Sequence, residues 1–75
     1  MKIVGFLRGF DITHSFITLE MIDDSGIEQH LRFSRSSKGG YRKQDLTIHL
    51  GKTIDIEFEW ENTRERKLLN ILPHK

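Results

Sequence analysis

The sequence predicts an all-β protein, a single small barrel of five to six short antiparallel strands spanning residues 1–75. Three observations carry that expectation. Apolar residues recur with a period of two along most of the chain, the spacing that a pleated strand turns into one buried face. The alternating runs are short and are separated by Gly, Asp, Asn and Ser, which suit tight turns. The first run also contains two glycines, Gly5 and Gly9, and a strand that coils round a barrel needs places to bend.

Taken in order, the first strand runs from Lys2 to Ile12, with Gly5 and Gly9 expected on one face. Phe16 to Asp23 alternates, directing Ile17, Leu19 and Met21 one way and Thr18 and Glu20 the other. Asp24-Ser25-Gly26 tolerates positive φ and leads into Ile27 to Ser34, where Ile27, Leu31 and Phe33 share a face, so the two runs form a hairpin. Leu46 to Leu50 also alternates, and Gly51-Lys52 reads as a two-residue turn joining it to the next strand. That strand, Thr53 to Glu61, places Ile54, Ile56, Phe58 and Trp60 on one side and four acids on the other. Asn62 to Glu65 supplies turn residues before Lys67 to Leu72, read as a strand with Leu69 and Ile71 on one face and Pro73 at its end. The rival reading of this segment is a short helix, because Asn62 and Glu65 imitate a capping box and Leu68, Leu69, Ile71 and Leu72 suit a helical face.

Charge is distributed unevenly. Between Gln29 and Gln44 lie five basic residues, Arg32, Arg35, Lys38, Arg42 and Lys43, and no acid, while the other seven bases share the rest of the chain with all eleven acids. A net charge of +1 gives no bulk attraction to polyanions, so the focused field of this window is what points to an anionic partner. Gly39 and Gly40 let the backbone approach a ligand, Ser36 and Ser37 can donate to phosphate oxygens, and Tyr41 places a ring among the cations. The same composition also describes a solvated loop between strands.

The long first strand, Phe16 to Asp24 with Gly26, Ile27 to Phe33, and the run Leu50-Gly51-Lys52-Thr53-Ile54 together resemble the oligonucleotide/oligosaccharide-binding (OB) fold. That resemblance covers most of the chain. It implies a small Greek-key barrel whose second and third strands and flanking loops hold a ligand, mainly single-stranded nucleic acid and sometimes protein. Residues 41–50 lack the helical pattern usual at that place in the OB fold, which keeps an SH3-like barrel as the alternative.

On this reading the chain binds single-stranded DNA or RNA without catalysis. Arg32, Arg35, Lys38, Arg42 and Lys43 contact phosphates, Tyr41 and Phe16 stack on bases, and Arg8 extends the basic track from the first strand. Phe6, Phe33, Phe58 and Trp60 fall on alternating positions and are assigned to the core, whereas Phe10 stands near a strand end. Asp55, Glu57, Glu59 and Glu61 form an acidic row that must lie away from any phosphate path, with Lys67 or Arg66 opposite it. A protein partner meeting that row or a sheet edge is the second reading.

Other classes are disfavoured. The carboxylates lie on an exposed strand face with no desolvating pocket to tune them for acid/base work. His14, His30, His49 and His74 lack the spacing of a zinc site, and the chain has no cysteine, so neither a metal nor another cofactor is expected. The Ser36 to Gly40 run lacks the first glycine of a phosphate-binding Walker loop. Absence of cysteine fits a reducing, cytoplasmic setting. The start of the chain reaches Arg8 too soon for a secretory or membrane-spanning segment, so no membrane contact is expected. At this length self-association would add to a thin stability margin.

Overall fold

The computed structural model describes residues 1–35 and 40–75. It contains strands β1 (Lys2–Ile12), β2 (Phe16–Ile22) and β3 (Glu28–Ser34), a short helix α1 (Lys43–Thr47), and strands β4 (Thr53–Trp60) and β5 (Arg66–Pro73). Local chemistry fixes the turns between them. The Asp23 carboxylate accepts from the Ser25 and Ile27 N–H groups at 2.9 and 3.0 Å, and Gly26 takes φ 79°, so the β2–β3 hairpin closes where a side chain would be strained. Asn62 Oδ1 accepts from Arg64 and Glu65 N–H at 2.8 and 2.9 Å. That makes a turn instead of a helix start, and β5 follows as a strand.

The sheet closes in the order β1-β2-β3-β5-β4. Every pairing is antiparallel except β3 with β5, which run parallel through Phe33 beside Arg66 and Ser34 beside Lys67. The all-β barrel is therefore as expected, with five strands and mixed pairing instead of a purely antiparallel sheet. β1 serves two neighbours, pairing with β4 through Lys2–Phe6 and with β2 from Phe6 onward. A register shift between Leu7 and Gly9 bends it. This bulge separates the two glycines that were expected to share a face. Gly5 is buried, and a Cβ there would stand 2.7 Å from Met21 Cε, while Gly9 pairs with the outward-facing Glu20.

Twelve apolar side chains fill the interior: Leu7, Ile17, Leu19, Met21, Leu31, Phe33, Leu46, Ile54, Ile56, Phe58, Leu68 and Ile71. Phe33 and Phe58 meet edge to face with centroids 5.9 Å apart, the arrangement that aromatic quadrupoles favour. Burying each such ring contributes about 1.5–3 kcal/mol. Four core expectations fail at the margins. Phe6 and Ile27 stand outside, the latter in the turn ahead of β3, and Trp60 is 44% exposed because β4 leaves the core at its last residue. On β5 the buried pair is Leu68 and Ile71, not Leu69 and Ile71.

The largest departure is residues 41–50. The alternation of Leu46 to Leu50 suggested a strand and no helix was expected here, yet the segment forms α1 followed by turns. Of the alternating apolar residues Leu46 is fully buried, whereas Ile48 is 63% exposed, and His49, on the polar side of that alternation, is nearly buried. The turn that ends α1, closed by the His49 N–H donating to the Leu46 carbonyl at 3.0 Å, brings both residues to the core side. Asp45 holds the first turn by accepting from the Arg42 N–H at 2.8 Å. After α1 the chain passes through Gly51 at φ 75° and docks on β1, with Gly51 N–H donating to the Leu7 carbonyl and Leu7 N–H to the Lys52 carbonyl. No helix among the described residues is long and apolar enough to cross a membrane.

Candidate functional site

Three of the cations singled out in the sequence converge. Arg35, Arg42 and Lys43 line a groove of about 420 Å³ together with Phe10, Asp11 and Ile12. The fold brings them there by separate routes. Arg35 follows β3 and wraps the β1–β2 turn, its N–H donating to the Ser15 carbonyl at 2.9 Å and its guanidinium to the Thr13 carbonyl at 3.1 Å. Arg42 and Lys43 arrive at the start of α1. The opposite wall is the outer half of β1, which has moved away from β4 beyond Phe6 and presents Phe10 and Ile12 to the groove. Asp11 is the one acid on this lining.

Next to the groove, on the β2–β3 pair, Arg32 lies over the Phe16 ring at 4.3 Å from its centroid. A cation above an aromatic face is held by the ring quadrupole and leaves its own outer face available. Phe16 starts β2 immediately after the Thr13–Ser15 turn that Arg35 grips, so this stacked pair and the groove share one rim of the barrel.

The remaining candidates fall elsewhere. Tyr41 is packed against the core, and its hydroxyl accepts from the Ile71 N–H at 2.9 Å, which occupies the ring in holding α1's approach to β5. Arg8 lies on the outer barrel face and pairs with Glu28 at 3.7 Å, away from the groove. Lys38, with Ser36, Ser37 and Gly39, lies outside the described residues.

Two side chains on the same rim were missed in the sequence. Arg66 lies 4.8 Å from the centroid of Trp60 and 5.9 Å from those of Phe33 and Phe58. Its Nη1 donates to the Arg32 carbonyl at 3.4 Å. The pairings Trp60–Arg66, Phe33–Arg66 and Phe16–Ser34 carry the rim continuously from β4 round to β2. The only signal available was a tryptophan at the end of an alternating run followed by a basic cluster, and assigning Trp60 to the core concealed it.

Of the acidic row, Asp55, Glu57 and Glu59 lie on the outer face of β4, and Glu61 follows it in the turn to β5. Asp55 and Glu57 lie beside Val4 and Lys2 of β1, and Glu59 beside Lys67 of β5. None of the four carboxylates lines the groove. Asp55 is engaged by Lys2 Nζ at 3.3 Å and by His74 Nδ1 at 2.6 Å. Partial burial pushes its carboxyl upward, but the hydrogen bonds and positive charges of His74 and Lys2 outweigh that, so its pKa lies below the ordinary 3.8. Asp23 is also lowered, first by the Ile27 N–H, against a desolvation contribution that raises it, and then by Gln29 and the Ser25 N–H. Among the described residues no group of three or more His, Cys, Asp or Glu is placed to hold a metal ion.

No protein-family model matches the chain, and neither a curated protein nor a solved structure matches it significantly.

Proposed function

We propose that this barrel binds single-stranded DNA or RNA without catalysis, in the manner of an OB-fold domain. The strand order, the long bent β1 with two neighbours and the glycine turn into β4 support the architectural part of that reading. The observation that carries the ligand assignment is the convergence of Arg35, Arg42 and Lys43 on one groove beside the Phe16–Arg32 stack. Single strands need cations that follow phosphates and flat rings on which unpaired bases stack. Here the three groove cations meet phosphates, and Phe16 and the half-exposed Trp60 offer ring faces. Tyr41 belongs to the scaffold of this site. Contacts to backbone and rings carry little sequence information, so base preference is weak.

The test is a titration of oligonucleotides at low salt, followed by quenching of the single tryptophan or by anisotropy. Three neutralised phosphates give a slope of log affinity against log salt of about −2 for single strands. Replacing both Arg42 and Lys43 with alanine should reduce that slope to about −0.7. Absence of binding to both DNA and RNA would overturn the proposal, and unchanged binding by the double variant would remove the groove from the site.

A further inference from the structure

The groove carries one carboxylate among its three cations. Asp11 lies on β1 between Phe10 and Ile12, which pack on the core, so its own side chain takes the outer face and is exposed. Across the β1–β2 ladder Asp11 stands opposite Thr18, and Thr18 stands opposite Arg32 of β3. Phe16, two residues before Thr18 on the same face, is then the diagonal neighbour of Asp11, at about 7–8 Å. Beyond Phe6 the outer half of β1 has β2 on one side and the groove on the other, where Arg42 and Lys43 arrive with α1. Asp11 therefore stands where the groove meets the Phe16–Arg32 stack. The other acids of this face are engaged farther along the sheet. Glu28 pairs with Arg8 at 3.7 Å, and Glu20 lies over Gly9 with His30 at 4.0 Å.

An ionised carboxylate accepts hydrogen bonds and donates none, so beside phosphates it opposes binding unless the ligand offers a donor at that point. A single strand has donors on its base edges and, in RNA, one on every sugar. The sugar joins phosphate to base. With phosphates on the groove cations and a base stacked at the Phe16–Arg32 pair, the sugar is the part of the nucleotide that passes Asp11. We propose, on the single-strand reading of this groove, that Asp11 accepts a hydrogen bond from a ribose 2′-hydroxyl and so makes RNA the preferred ligand. DNA carries only hydrogen at that carbon, which leaves the carboxylate facing backbone phosphates with no donor to offset the repulsion.

The contact reads the sugar and not the base, in keeping with a weak base preference. A hydrogen bond to a charged acceptor at an exposed position, where water competes, corresponds to a preference of about tenfold for RNA over DNA of the same sequence.

The test compares, at low salt, the affinities of the full chain for labelled uridine oligomers in ribo, deoxyribo and 2′-fluoro forms, read by anisotropy. The 2′-fluoro strand keeps the sugar pucker of RNA but lacks the donor. The ribo strand should bind about tenfold more tightly than either of the others, and cytidine oligomers, whose base edges carry a different donor pattern, should give the same ratio. Asp11→Ala should bring the three forms to within about twofold of one another, with the deoxyribo strand bound at least as tightly as by the unaltered chain. Asp11→Asn, which keeps the size and removes the charge, should fall between. Glu20→Gln, on the same face but away from the groove, should leave the ratio unchanged. Four results would each overturn the assignment while leaving strand binding intact: equal affinity for ribo and deoxyribo strands, a preference shared by the 2′-fluoro strand, one that survives Asp11→Ala, or one confined to a single base series. A chain that binds none of the strands would overturn both this assignment and the single-strand reading beneath it.

Discussion

Tyr41 illustrates how one hydrogen bond assigns a residue its role. Its position among cations made it a stacking candidate, yet its hydroxyl accepts from the Ile71 N–H at a point where β5 no longer has β3 alongside. Removing the acceptor strands a partly buried amide donor, so Tyr41→Phe should cost about 1–2 kcal/mol in urea unfolding. Oligonucleotide affinity should change by less than about threefold, since the ring stays in place and does not stack on bases. Asp55 carries a pH dependence. Its folded pKa lies below the ordinary 3.8, so between the two values the unfolded chain binds more protons, and stability rises with pH. The contribution is complete above pH 3.8 and is lost as pH falls through the folded value. In Asp55→Asn, urea midpoints measured against pH should fall less steeply on the acid side. Asp23 has the same sign, so part of the slope persists in that variant.

At the scale of the element, bulges decide which face a residue takes. β4 and β5 pair Glu57 with Asn70 but Phe58 with Leu68, leaving Leu69 without an opposite residue. The extra residue rotates the strand so that Leu68 and Ile71, three apart, both point inward, while Leu69 is 45% exposed. Period-two counting cannot anticipate this, because an inserted residue reverses the parity of everything after it. Leu68→Ala should therefore cost about 2–4 kcal/mol by denaturant unfolding, and Leu69→Ala less than about 0.5 kcal/mol. α1 shows the reverse case. Five residues are too few to declare a helical period against the competing alternation of Leu46, Ile48 and Leu50, and the choice fell to the core, which takes Leu46 and His49.

For the whole molecule, the consequence of closure is segregation of charge. Threading β4 between β5 and β1 places the acidic row on an outer face whose neighbours include Lys2 and Lys67. The groove forms where β1 has parted from β4. The molecule measures 30 × 28 × 20 Å, while charges in physiological salt are screened over about 8 Å. Changing Glu57 and Glu59 to glutamine should then alter oligonucleotide affinity by less than about threefold at that salt, with a larger gain at low salt where screening weakens. A large gain under both conditions would place the row beside the bound strand.

Four of the five strands, β1 to β3 and β4, and the positive-φ turn at Gly26 were legible in the residues, because alternation and φ-tolerant residues act within a few positions of each other, whereas Gly51, read as a hairpin turn between two strands, follows α1 instead. β5 was legible as a strand, but its face was not. Of the site, the sequence marked the cations but not their grouping. Arg35, Arg42 and Lys43 meet over β1, Arg8 is drawn off by Glu28, and Tyr41 is turned into the core. Trp60 and Arg66 join the rim only because β5 closes on β3. By itself the chain determined an all-β domain with one basic window and one acidic row, since composition and period are local properties. Where the bulges fall and which charges share a groove are set by packing between segments distant in the chain, and only the closed barrel decides them.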